Sequence, residues 1–143
     1  MTQVFFYHGA SDKLAAACAL IQGAWKQRKP LLIYAPEKSQ ADSVDRMLWA
    51  RDPLSFVPHC RIDSALASET PILIAERLEN RNFPSGHERL MNLSNTLPPG
   101  YAQFQRLIEV VSQDDEERQA ARRRVHHYKE QGCDVQFFDL SNR

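Results

Sequence analysis

The chain has 143 residues, 43% of them hydrophobic and 25% charged, which fits one globular domain with a core of its own. Lys plus Arg equals Asp plus Glu at 18 each, so the chain lacks the basic excess of a protein that grips DNA by its phosphates. Any nucleic-acid contact is expected to be local or to run through a partner.

The opening Met1-Thr2-Gln3-Val4-Phe5-Phe6-Tyr7 has neither the basic leader nor the long apolar run of a signal peptide, and residues 3–7 are predicted as a first strand. Ser11 or Asp12 can cap the next segment, where Leu14, Ala17, Cys18, Ile21 and Trp25 recur at helical spacing. Lys29-Pro30 ends that helix. Leu31–Tyr34 is a wholly apolar strand of the kind found inside a parallel sheet, and the run up to Ala35 is far too short to cross a bilayer. Pro36-Glu37 opens a second helix with Ala41, Val44, Met47 and Leu48 on its inner stripe. This β-α-β-α beginning is the signature of an α/β sandwich with right-handed crossovers.

The middle is less regular. Phe56-Val57, between Pro53 and Pro58, is predicted as a short strand. Ile72–Ala75 and residues 89–93 follow as strands, separated by a polar stretch containing Asn80, Asn82, Pro84 and Gly86. Pro98-Pro99-Gly100 marks a turn, residues 101–105 one helical turn, and residues 107–111 a strand. Residues 114–131 form the clearest helix, stopped by Gly132, and residues 134–140, with Val135, Phe137 and Phe138, a last strand. No repeat or linker interrupts the chain, so residues 1–143 are read as a single domain. Cys18, Cys60 and Cys133 are odd in number, far apart and without C-x-x-C spacing, which reads as reduced thiols and a cytoplasmic setting.

Chemistry-bearing motifs are missing. The loop after the first strand, His8-Gly9-Ala10-Ser11-Asp12, has one glycine where a dinucleotide fingerprint needs three, and it lacks the Gly-Lys-Ser/Thr of a phosphate loop. Asp12 would also repel a phosphate, so Gly9 is expected only to relieve a turn. No Gly-x-Ser-x-Gly and no His-Glu-x-x-His occurs, since His87-Glu88 has no second histidine at the required spacing. His59-Cys60 and His126-His127 are adjacent pairs that point apart and chelate one metal poorly. The run Asp114-Asp115-Glu116-Glu117 suits the positive end of a helix better than carboxylate chemistry. No catalytic residue, metal or cofactor is expected.

The most specific stretch is Arg46-Met47-Leu48-Trp49-Ala50-Arg51-Asp52-Pro53-Leu54-Ser55-Phe56-Val57-Pro58-His59. It closely resembles the chi subunit of the bacterial DNA polymerase III holoenzyme, which carries a Leu-Trp element followed by Ser/Thr-Phe-Val/Ile-Pro-His. Phe6-Tyr7, Leu31–Tyr34, Pro71-Ile72, Asn92-Leu93, Glu109-Val110-Val111 and Tyr128-Lys129 with Gly132 fall in the order of that family, while residues 77–86 are the least informative. The resemblance implies a three-layer α/β/α sandwich with a mostly parallel mixed sheet, Rossmann-like but without a phosphate-binding loop. It implies a non-catalytic accessory subunit acting at replication forks, meeting single-stranded DNA mainly indirectly. The implied partners are the psi subunit, which tethers chi to the clamp loader, and the acidic C-terminal tail of single-stranded DNA-binding protein. A repair helicase competing for the psi surface is compatible with it.

The residues support a first surface independently. On a helical wheel Trp49 lies about 100° beyond Leu48, off the Val44/Met47/Leu48 stripe. An indole off that stripe beside Phe56, Val57 and Pro58 either makes a protein contact, with Arg46 and Arg51 as a polar rim, or folds over a neighbouring loop as ordinary core. The family likeness favours the contact and assigns Trp49, Phe56, Val57, Pro58 and His59 to the psi surface. The second surface lies on the helix at 114–131, where Ala121, Val125 and Tyr128 form the core stripe and Arg118, Arg122 and Lys129 cluster beside it within about 40°. Family likeness assigns Arg118, Arg122, Val125, His126 and Lys129 to the acidic tail. His126 stands where chi proteins can carry lysine, and the connection at 112–117 is short. Arg123, Arg124 and His127 are expected on a solvated face. Two other classes compete with the adaptor: a degenerate nucleotide-binding hydrolase, and direct single-strand binding through a basic groove with aromatic platforms.

Overall fold

The computed structural model describes residues 2–50, 56–78 and 87–141. Apolar runs and helical stripes alternate along it. The strands are β1 (Gln3–Ala10), β2 (Leu31–Tyr34), β3 (His59–Arg61), β4 (Ile72–Ala75), β5 (Arg89–Asn92), β6 (Arg106–Ser112) and β7 (Asp134–Asp139), and the helices are α1 (Lys13–Lys26), α2 (Lys38–Ala50) and α3 (Asp115–Glu130). The strands form one sheet in the order β3-β4-β2-β5-β6-β1-β7. Every pairing is parallel, so no antiparallel strand makes the sheet mixed among the described residues.

Helices cover both faces, which is why the central strands are apolar without alternation. On one face α1 and α2 bury Cys18, Ile21, Val44 and Leu48 against Leu31, Ile33, Ile72, Ile74 and Met91. On the other, Ala121 and Tyr128 of α3 pack against Val4, Phe6, Leu32, Leu73, Leu90 and Leu107. The expected three-layer sandwich is therefore present.

Local chemistry fixes the helix ends. Asp12 caps α1 by accepting the Ala15 N–H at 3.1 Å. Asp114 does the same for α3 through the Glu117 N–H at 3.1 Å, as the acidic run suggested. Glu117 in turn accepts the Ser112 N–H at 2.9 Å and meets Lys13 Nζ at 3.0 Å, tying the start of α3 to α1. At the other end Gly132 adopts φ +80°, and the Cys133 N–H reaches back to the Tyr128 carbonyl at 3.0 Å.

Two local expectations change. Phe56-Val57 is not a strand, because Pro58 has no N–H to give a ladder, and pairing starts one residue later at His59. Gly9 does not sit in a turn after the strand. It lies inside β1 at φ +76°, where the register against β6 slips between Tyr7 and Ala10. A Cβ there would meet Asp139 Oδ1 at 3.0 Å.

Candidate protein-interaction sites

The first site is an aromatic platform at the end of α2. Trp49 and Phe56 are 58% and 59% exposed, with ring centroids 5.3 Å apart. Trp49 also packs 4.9 Å from the His59 ring. His59 is held from both sides: Nδ1 donates to the Val57 carbonyl at 2.7 Å, and Nε2 lies 2.8 Å from Asp45 Oδ1. The Asp45–His59 contact joins α2 to the start of β3, and so sets Trp49 beside Phe56. Val57 is 1% exposed and the His59 side chain is fully covered, while Pro58 is half-buried. A partner can therefore reach Trp49, Phe56 and the edge of Pro58, whereas Val57 and His59 support them from beneath. Arg46 is exposed and donates to Ser43 Oγ at 3.3 Å; Arg51 and the rest of 51–55 lie outside the described residues.

The second site is a pocket of about 220 Å³ between α3 and the β1/β7 edge of the sheet. Phe6, Val111, Ala121, Val125 and Phe137 form its apolar wall, and Arg118, Arg122 and His8 its polar groups. Arg118 and Arg122, expected as neighbours from the wheel, do line one opening. Lys129 stands outside it, with Nζ 5.6 Å from the Phe137 ring. His126 does not line the pocket: its side chain is 77% exposed and pairs with Glu130 at 2.9 Å, one turn further along α3.

Residues 1–136 match the sequence profile of the family described as DNA polymerase III chi subunit, HolC. The chain belongs to that family. Among its relatives named DNA polymerase III subunit chi, the protein of Haemophilus influenzae is 35% identical over 83% of this chain and 81% of its own length. That of Pseudomonas aeruginosa is 30% identical over 95% of both chains, and that of Escherichia coli 28% identical over 89% of this chain and 85% of its own. The family name describes a subunit of a DNA polymerase, as the motif at 46–59 implied.

One constellation in this chi-family chain escaped sequence reasoning. Glu109 of β6 is fully buried, and its two oxygens receive Arg124 Nε at 3.1 Å, Arg124 Nη2 at 3.2 Å, Tyr128 Oη at 2.6 Å and Asn92 Nδ2 at 3.0 and 3.1 Å. Arg124 is only 3% exposed, which corrects its assignment to a solvated face. The signal was available: Arg124 follows Ala121 by three and precedes Tyr128 by four, so it lies on the core stripe, opposite a glutamate set in an apolar strand. Burial pushes the Glu109 carboxyl upward, and the Arg124 guanidinium, Tyr128 hydroxyl and Asn92 amide oppose that push. Burial and the neighbouring Glu109 carboxylate also raise the Tyr128 hydroxyl. His127 is likewise not plainly solvated, since its Nε2 lies 3.1 Å from Tyr101 Oη.

Where a nucleotide-binding fold would hold phosphate, after β1, there is a groove of about 390 Å³ lined by Tyr7, Ala10, Asp12, Ala15 and Ala19. Its carboxylate and its apolar wall do not suit a phosphate. No group of three or more His, Cys, Asp or Glu among the described residues could hold a metal ion. No described helix is long and apolar enough to cross a membrane.

Proposed function

We propose that the protein is a non-catalytic accessory subunit of DNA polymerase III that binds the psi subunit through Trp49 and Phe56, and the acidic C-terminal tail of single-stranded DNA-binding protein through the pocket beside α3. In this role it links the replicase to coated single-stranded DNA and meets the DNA mainly through its partner. The observation that carries the reading is the exposed Trp49–Phe56 pair, because it lies in the family's most specific motif and two large adjacent aromatics are costly to leave in water. The pocket adds complementary chemistry: an apolar slot with two guanidinium groups at its rim suits an acidic peptide whose last residue is apolar, and an arginine can hold the terminal carboxylate bidentately. A repair helicase competing with psi would use the same aromatic pair.

Affinity capture from cell extract with the tagged protein tests this. Psi and single-stranded DNA-binding protein are expected in the eluate. Capture of neither, with tight binding to a bare oligonucleotide instead, would replace the adaptor with direct single-strand binding. Stabilisation by ATP, GTP or NAD in a thermal-shift assay would favour a nucleotide-binding enzyme.

A further inference from the structure

We propose that His8 is a specificity-determining residue of the α3 pocket, supplying from the strand side a cation that strengthens the grip on a terminal carboxylate as pH falls. This rests on the reading that the pocket takes an acidic tail. Family likeness placed His126 at the tail site, but His126 is turned to Glu130 and lies off the pocket. His8 lines it, half-buried, with its ring set edge-on to Phe137 at 6.4 Å and 73°.

The charges around His8 are unequal. From α3, Arg118 and Arg122 face the same opening, and Arg118 is partly occupied by Asp115 at 3.6 Å. From β7, Asp139 is the register partner of His8 and attracts it electrostatically, while its Oδ1 also accepts the Ser141 N–H at 2.8 Å. Lys129 sits outside, over Phe137. From β6 the pocket receives only the apolar Val111. A peptide carboxylate entering the slot thus meets guanidinium groups on the helix side and an imidazole on the strand side. Imidazole is the side chain whose charge changes between pH 5 and 8, so it alone among these three cations can grade the attraction in that interval. The same ring supplies an aromatic edge to whatever side chain fills the slot, so the contact persists in neutral form.

The probe is a fluorescein-labelled peptide of five aspartates ending in phenylalanine with a free carboxylate, followed by anisotropy in low salt. Its own carboxylates stay ionised above pH 6. Wild type is expected to bind about two- to fivefold tighter at pH 6.0 than at 7.5, the range of one partly exposed ion pair. His8→Leu should lose that gain, and His126→Ala should keep it. If Arg122→Ala weakens binding while His8→Leu retains the full gain, the role of His8 is overturned and the pocket reading stands. If neither variant changes binding at any pH, the pocket is not the tail site. Should His8→Leu fold poorly, the wild-type His8 ring resonances decide: they must move on peptide addition, and unmoved resonances sink the proposal.

Discussion

Glu109 and Arg124 show how one ion pair can anchor a whole helix. Each is almost without solvent, so Glu109 depends on Arg124, Tyr128 and Asn92 to replace water, and Arg124 depends on Glu109. Removing one partner leaves a buried charge. Arg124→Met is therefore expected to cost about 3–5 kcal/mol in urea denaturation, whereas adding Glu109→Leu to it should recover much of the loss. Additive losses would mean that the pair is not coupled. The pH response has a defined sign. Because burial raises the Glu109 carboxyl in the folded state, the folded protein takes up its proton first as pH falls. That contribution to stability is full below the unfolded value, near about 4.3, and is lost as pH rises through the raised folded value. Wild type should accordingly lose stability relative to Glu109→Gln as pH rises above the ordinary carboxylate range. Parallel stability profiles would contradict it. At this scale the sequence was partly legible. The spacing of Ala121, Arg124 and Tyr128 was in view, but a basic side chain defaults to solvent unless its acidic partner is known, and that partner lies 15 residues away in another element.

At the scale of elements, α2 and β3 act together. The Asp45–His59 contact clamps the helix to the strand, and the Trp49 ring rests on the clamp. Under the proposed function, Trp49→Ala and Phe56→Ala should each weaken psi binding by about 2–4 kcal/mol, the range of a central aromatic hot spot, with tail binding unchanged. Calorimetry with purified psi checks this, and normal binding by both variants would move the interface elsewhere. The helical wheel found Trp49 because an off-stripe position is a local property. It could not find that Val57 and His59 are covered, since that depends on where β3 docks. Pro58 was the cue there: without an N–H it delays the strand to His59, which reaches back to Asp45. For α3 the wheel grouped Lys129 with Arg118 and Arg122, but the pocket is bounded by Phe137 of β7, whose position no helix-only projection contains.

For the whole molecule, the strand order decides what can happen at once. The aromatic platform adjoins β3, and the pocket is walled by β1 and β7, at the opposite edge of the sheet. Six strand spacings separate β3 from β7, about 29 Å at the usual interval. The two surfaces also use different faces, α2 on one and α3 on the other. Among the described residues no shared side chain links them, so both proposed partners should bind together and independently. The tail affinity is expected to change by less than about twofold when psi is saturating, since separated sites without shared partners add. A strong coupling would require a conformational link across the sheet. Alternating apolar runs and helical stripes made the sandwich legible, but not its order. The chain passes from β1 over β6 and β5 to reach β2, and such a crossing leaves no mark on local periodicity.

The position of β7 has a consequence for self-association. It is an edge strand of six residues, exposed at Phe137 and Phe138, and such a strand is a template for a second copy. The two-fold antiparallel register that opposes its ends places Asp134 of one molecule across from Asp139 of the other, and the same again at the far end. Like charges directly opposite one another disfavour that ladder. The two aspartates thus oppose self-pairing in that register along an edge that stays aromatic and open.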